Sequence, residues 1–266
     1  MLKILTLSWN GEDKLKSLYP NLLKNLNNIN FNWLIKDNGS SDNSIKYIKS
    51  LNNDNINIID YKHNRDNFSS GCNFLYKEAS PKSNDLILLL NNDVTFNDTT
   101  SLQNMINIIK NDINVGIVGA QLTYTGTNKI QHAGVVFNNN KMPMHFRANE
   151  IVDAQSSKCR EFQAVTAACL LTRANIYDDI KMDTNLNWSF DDIFFNLKVK
   201  NELNKKIIYA GNTNISHEES ASLKKNPVNK LFMNQNTRYL LEKWGNKIIA
   251  DRDLYLKDPN YYLYRK

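Results

Sequence analysis

Two adjacent carboxylates, Asp191 and Asp192, interrupt an aromatic and aliphatic run that reads WSFDDIFFNL. An ionised carboxylate in such company is costly to bury unless it is paired or put to work. A carboxylate beside a bound hydroxyl can take its proton as a general base. The bland alternative is that Asp191 or Asp192 caps a helix. A further carboxylate, Asp93, leaves the most apolar run of the chain, LILLLNNDV, and is the best candidate for a hard-cation ligand. Such a cation takes oxygen ligands, and the phosphate oxygens of a bound nucleotide would complete its shell. Asp37 and Asn38 open the polar turn KDNGSSDNS, where Asp37 could accept a hydrogen bond from a nucleotide base N–H. His217, in ISHEES, shares no ligand spacing with His63, His132 or His145, and a lone histidine is more often structural or superficial than ligating.

Other chemistries are poorly supported. No GxGxxG and no GxxxxGK[ST] occurs, so the glycine-built phosphate cradle is absent. A nucleotide must then be held by base contacts and by a cation that neutralises its diphosphate. No Ser–His–Asp order or nucleophile elbow is present. Cys72, Cys159 and Cys169 are odd in number and lack CxxC spacing, which argues for a reducing compartment and against a disulfide framework or cysteine-rich zinc site. Lys plus Arg is 33 against 27 for Asp plus Glu, a net +6. That bias is compatible with a phosphorylated substrate, an anionic membrane surface or nucleic acid, and selects none of them. No basic helix, zinc finger or aromatic–basic repeat supports a nucleic-acid footprint.

These residues need elements to position them. Apolar residues alternate between strand and helix spacing through the first half: strands at 4–9, 31–35, 56–59, 86–90 and 115–118, with helices between. Strict alternation predicts right-handed crossovers and a parallel sheet covered on both faces. In such a sheet, ligands sit beyond the carboxyl ends of the strands. There the sequence places Asn10 and Gly11, Asp37 and Asn38, Asn64, and Asn91, Asn92 and Asp93. Beyond residue 120 the alternation breaks: 130–137, 162–172 and 206–209 read as strands, 188–202 and 229–244 as helices. The 43 asparagines blur ordinary turn signals, so any single Asn is weak testimony. With 266 residues, 9 Gly and 5 Pro, the expectation is one compact mixed α/β domain without a linker. The apolar start is too short for a signal peptide, and LILLL is far below the roughly 20 residues of a membrane span. A cytoplasmic protein is expected, at most peripheral to the inner face of a membrane.

Taken together, these segments resemble the inverting, nucleotide-sugar-dependent glycosyltransferases of family 2, which have the GT-A fold. The likeness is nearest to the bacterial O-antigen and capsule branch called rhamnosyltransferase-like, and runs over residues 3–222. TLSWNG resembles the family's strand plus "YNG", and IKDNGSSDNS its "VDNGSSDGS". NRDNFSSGCN resembles "N.GF..G.N", matching Asn64, Phe68, Gly71 and Asn73, and LLLNNDV the "LNNDV" form of the metal-binding DxD motif. GIVGAQLTYTGTNKIQHAG, FQAVTAACLLTRANI, WSFDDIFFNLK and IIYAGNTNISHEESAS resemble "G.VGP.L....G.IQHAG", "VTGACLLIRR", "Y.NDVDLCLR" and "VVYTP.A.L.HHESAS".

The resemblance implies roles. Asp37 contacts the base, with Asn10, Asn38, Asn64, Asn73 and Asn91 in the donor-binding set. Asp93 and His217 hold a divalent cation, Mn2+ or Mg2+. Asp192 is the general base with Asp191 beside it, and Trp188 or Phe190 could stack on a sugar. The fold implied is α/β of GT-A type, a mostly parallel central sheet with helices on both faces. Residues 1–225 would form one catalytic domain, with 1–120 binding the nucleotide sugar and 121–225 the acceptor; 226–266 would add a C-terminal helix and aromatic–basic tail packed on it. The donor would be a UDP-, dTDP- or GDP-linked sugar and the acceptor a glycan or lipid-linked saccharide. The sequence departs from the pattern at Asn91, Phe194 and Lys198, where acidic, acidic and Arg residues are usual. A modified DNA base or protein side chain as acceptor, and a catalytically silent glycan-binding module, stay open as alternatives.

Overall fold

The computed structural model describes residues 1–60, 66–187, 189–218 and 227–265. The first half builds β1 (Leu2–Ser8), α1 (Glu12–Asn25), β2 (Phe31–Asp37), α2 (Ser44–Ser50), β3 (Ile56–Asp60), α3 (Phe68–Ala79), β4 (Leu86–Leu90), β5 (Val94–Phe96) and α4 (Ser101–Asn111). The second half continues with β6 (Val115–Tyr124), β7 (Ile130–His132), β8 (Val135–Phe137), β9 (Pro143–His145), β10 (Arg160–Phe162), β11 (Cys169–Arg173), α5 (Ala174–Ile180), α6 (Asp191–Glu202), β12 (Lys206–His217), α7 (Pro227–Trp244) and α8 (Arg252–Lys257). The main sheet runs β10-β12-β6-β11-β4-β1-β2-β3, with β5 on β12 and β7 on β6.

The sheet's two faces follow directly from period-2 side-chain alternation. In β4, Leu86, Leu88 and Leu90 face one layer, in which α1, α2 and α4 bury Leu15, Leu18, Leu22, Ile48, Leu102, Met105 and Ile109. Ile87 and Leu89 face the other, with Cys72 and Leu75 of α3, Tyr177 of α5 and Phe195 of α6. Trp33 projects from β2 into the first layer, and its indole N–H donates to Thr6 Oγ1 at 2.9 Å, so its buried polar edge is satisfied.

The second half differs from a simple extension of the alternation. β11 runs antiparallel between β4 and β6, so the chain's fourth and fifth long strands are not neighbours. β6 and β12 are parallel to each other and run the same way as β1 to β4, which keeps the sheet mostly parallel. The apolar run 130–137 does not form one strand. Gly134, at φ +100, breaks it into β7 on the main sheet and β8, which pairs with β9. The run 162–172 is likewise divided, and residues 163–168 form a connection that reaches the carboxyl end of β4 at Ala168, whose carbonyl accepts from Asn91 N. β12 extends to His217 through a register shift between Ala210 and Ile215. α7 and the tail pack on the core: Leu240 and Ile248 join Phe137, Phe194 and Leu197, and the Asp251 carboxylate accepts from Phe137 N and Gln163 Nε2. Among the described residues no helix is long and apolar enough to cross a membrane.

Candidate active site

At the end of β1, Asn10 takes φ +46 and Gly11 begins the turn into α1. A Cβ on Gly11 would lie 2.4 Å from Asn92 Nδ2 and 2.7 Å from Ser8 Oγ, so glycine lets this turn close against the β4–β5 turn. Asn10 Oδ1 accepts from Ser41 N at 2.8 Å, and Asn10 N donates to Ser40 Oγ at 2.8 Å. Asn10 thus holds the loop that follows β2. In that loop Asp37 is buried, and its Oδ2 accepts from Gly39 N at 3.0 Å and Ser40 N at 2.8 Å. Its Oδ1 is buried and has no hydrogen-bond partner among the described residues. Asn38 exchanges hydrogen bonds with the backbone of Asp66, whose carboxylate pairs at 2.8 Å with the buried Lys36 ammonium. Asn64 and Trp188 lie outside the described residues.

Asp93 and His217 are far apart in the sequence and meet because β5 pairs antiparallel with the end of β12, Val94 opposite His217. His217 Nε2 lies 3.1 Å from Asp93 Oδ1 and 3.3 Å from Asn91 Nδ2. Gln131 on β7 sets the ring: its Oε1 accepts from His217 Nδ1 at 2.7 Å, while its Nε2 donates to His217 O at 3.4 Å. With the proton on Nδ1, a neutral ring turns the Nε2 lone pair toward a carboxylate oxygen. Two acceptors at that distance need a proton or a cation between them. The residues present therefore fit a divalent cation. No cluster of three His, Cys, Asp or Glu residues suited to a metal occurs among the described residues, so its other positions would fall to ligand oxygens or water. Lys14 of α1 lies on the other side of the carboxylate, Nζ 3.7 Å from Asp93 Oδ2.

The carboxylate pair sits in the first turn of α6, after Phe190 in the left-handed region at φ +68. Their side chains separate. Asp191 is buried and its Oδ1 accepts from Ser69 Oγ at 2.6 Å. Burial, reinforced by the Asp192 charge and opposed by the Ser69 hydrogen bond, pushes its pKa up to about 7. Asp192 is half-buried, and its Oδ2 accepts from Ala167 N at 3.2 Å in the 163–168 connection. The next residue, Ala168, accepts from Asn91 N at 2.9 Å. Two consecutive residues thus tie the start of α6 to the Asn91–Asp93 turn. Asn196 fixes the same connection from α6, accepting from Val165 N at 3.2 Å and donating to Val165 O at 3.0 Å. His132 holds Thr166 N at 3.2 Å and Ala120 O at 3.1 Å; burial, with His145 close by, keeps its pKa well below the ordinary histidine value.

Asn73 is committed within the protein: its Nδ2 donates to Met182 O at 2.9 Å and its Oδ1 accepts from Met182 N and Tyr177 Oη, both at 3.0 Å. It braces the segment leading to α6. Phe194 is buried and stacks on Tyr239 of α7, ring centroids 4.9 Å apart, so the residue in the usual acidic position here anchors the C-terminal helix. Gln131, Ser69, Asn196 and Lys14 went unmarked in the sequence reading. Gln131, inside IQHAG, Ser69, inside NFSSG, and Asn196, inside WSFDDIFFNLK, lie in segments that resemble family motifs, whereas Lys14 does not.

The profile of glycosyl transferase family 2 matches residues 4–169. The uncharacterized protein y4gI of Sinorhizobium fredii is 28% identical over 176 residues, which cover 63% of this chain and 19% of that protein. Among solved structures, S. aureus TarS 1-349 in complex with UDP-GlcNAc is similar with TM-score 0.61 at 13% identity, over 90% of this chain and 66% of that one. GalNAc-T7 with UDP, GalNAc and Mn2+ is similar with TM-score 0.66 at 10% identity, over 82% of this chain and 44% of that one. The match covers about a fifth of the length of y4gI and under two thirds of each structure. At these identities the structural likeness establishes the fold, which is GT-A, with a mostly parallel sheet and helices on both faces, as the sequence motifs imply.

Proposed function

The chain belongs to glycosyl transferase family 2, and from that membership we propose that it is an inverting transferase moving a sugar from a nucleoside-diphosphate sugar to a hydroxyl acceptor. The observation that carries the reading is the tie between Asp192 and the Asp93–His217 cluster through Ala167, Ala168 and Asn91. It supports a candidate base lying close to a candidate leaving-group site beyond the carboxyl ends of β4 and β12.

In this reading Asp37 Oδ1 accepts from the base, and the Asn10-held loop shapes the nucleotide pocket. Asp93 and His217 hold Mn2+ or Mg2+, which when bound supplies positive charge to the diphosphate. Asp192 takes the proton of the acceptor hydroxyl. The freed oxygen forms a bond to the anomeric carbon from the face opposite the diphosphate. The anomeric carbon–oxygen bond breaks, its electron pair leaves with the nucleoside diphosphate, and configuration inverts. Asn196 and Ala167 keep Asp192 in place while this happens. The acceptor proposed is a glycan or lipid-linked saccharide; a lipid carrier would bring the chain to the cytoplasmic face of a membrane.

The test is a screen of UDP-, dTDP- and GDP-sugars with Mn2+ or Mg2+, reading nucleotide binding by calorimetry and slow donor hydrolysis by release of the nucleoside diphosphate. Binding and metal-stimulated release with at least one nucleotide is expected. Absence of both with all three nucleotides would overturn the reading.

A further inference from the structure

Lys14 and Lys16 stand in the same helix and behave differently. Lys16 Nζ donates to Glu12 Oε1 at 2.7 Å, an ordinary surface pair on one helix face. Lys14 Nζ sits 3.7 Å from Asp93 Oδ2, beyond hydrogen-bond reach, and makes no hydrogen bond to any described residue. The Lys14 side chain is 30% exposed while that of Asp93 is 3% exposed, so the ammonium stands on the open side of the carboxylate. Its three N–H donors remain available for a ligand.

Charge counting says what ligand that is. Among the described side chains with contacts in the cluster are one carboxylate, Asp93, one ammonium, Lys14, one imidazole, His217, and the neutral Asn91. A sugar diphosphate ester brings two negative charges, which a single divalent cation cancels, leaving Asp93 to be offset by Lys14. On cleavage the departing diphosphate gains a third negative charge, and a fixed cation close to it becomes more favourable still. Resting on the reading above, we infer that Lys14 is a diphosphate-binding residue: its ammonium, drawn to the site by Asp93, donates to the donor's phosphate oxygens and shares with the metal the neutralisation of the leaving group. The turn that places it there is closed by Gly11 against Asn92.

The test titrates UDP, dTDP and GDP, and the nucleoside of whichever binds, into wild type, Lys14→Met and Lys14→Arg, each in EDTA and in saturating Mn2+. Wild type should retain weak diphosphate affinity in EDTA. Lys14→Met should lose roughly tenfold or more there, the size of one charge-assisted hydrogen bond, and less with Mn2+ present. Nucleoside affinity should not move, and Lys14→Arg should recover most of the loss. Equal affinities of Lys14→Met and wild type for the diphosphate in both media, or a parallel loss for the nucleoside, would overturn the role of Lys14 while leaving the transferase reading intact. If no nucleoside diphosphate binds wild type in either medium, both fall together. Matching circular dichroism and melting curves across the three proteins confirm that folding is not the variable.

Discussion

His217 Nδ1 donates to Gln131 Oε1 across 2.7 Å, and this bond decides which ring nitrogen faces Asp93. Without it the imidazole can rotate or exchange tautomers, and the Nε2 lone pair is no longer held toward the carboxylate. Second-layer partners of this kind are worth about ten- to a hundredfold in metal affinity. Gln131→Leu should therefore weaken Mn2+-dependent nucleotide binding by about that factor, while nucleotide affinity in EDTA stays near wild type. Calorimetric titrations in both media check it; equal loss in EDTA would mean that Gln131 supports the pocket generally and not the histidine.

Asp192 is exposed enough to meet a substrate and is held by one backbone N–H outside its own helix, that of Ala167. Asp192→Ala removes the proposed base and little packing. Transfer should fall by roughly a hundred- to ten-thousandfold, the usual contribution of a positioned base, with donor affinity unchanged within about threefold. The measurement is product formation beside donor titration on the same protein. Full transfer activity in the variant would sink the assignment.

Asp191 has the opposite character, and its pH signature follows from burial. Its folded pKa of about 7 lies above the ordinary carboxylate value, so between those two values the folded state binds more proton than the unfolded chain. Stability contributed by Asp191 is thus full at acid pH and is lost as pH rises toward 7. Asp191→Asn keeps an oxygen for Ser69 and removes the buried charge. The variant should melt higher than wild type at pH 8, and the gap should close as pH falls toward 4. Since each tenfold change in proton affinity is worth about 1.4 kcal/mol, the gap is at most about 4 kcal/mol. Urea titrations at four pH values decide it; a pH-independent difference would show that Asp191 does not titrate in this range.

Particular residues explain which parts of this molecule were legible in its sequence. The apolar spacing of Leu15, Leu18 and Leu22, and the LILLL run, encode burial directly, so the layers of the first half could be read from period alone. The strand at 169–173 could not be oriented in that way, because a buried strand reads the same in a parallel or an antiparallel slot, and only pairing with Leu86–Leu90 and Val115–Tyr124 places it. The last strand looked short because Asn212 and Asn214 fall at its register shift and interrupt the apolar pattern, although the ladder resumes at Ile215. Asp37 and Asp93 follow apolar runs and Asp191 and Asp192 interrupt one, whereas His217 is marked only by the resemblance of its segment to a family motif. Gln131, Ser69 and Lys14 did not stand out, since each acquires its meaning only from a partner 86, 122 or 79 positions away along the chain.

Gly134 carries the sharpest stability prediction, because two independent costs coincide there. Its φ of +100 is a conformation that side chains rarely adopt, and an added Cβ would meet ring carbons of the buried Phe162 at 2.3 to 2.5 Å. Gly126 offers the control: φ is +73, but nothing lies within 4 Å of the added carbon. Gly126→Ala should cost only the backbone part, about 1 kcal/mol. Gly134→Ala adds a clash with an aromatic ring packed against Tyr209 and Tyr255, and should cost about 3 kcal/mol or more. Gly134 follows β7 directly, where Gln131 and His132 hold His217 and Thr166, so the strain also reaches the site. The expected result is a lower urea midpoint for Gly134→Ala than for Gly126→Ala, with Mn2+-dependent nucleotide binding weakened only in the former. Equal midpoints for the two variants would mean that Phe162 moves aside without cost and that the glycine is needed for its backbone angle alone.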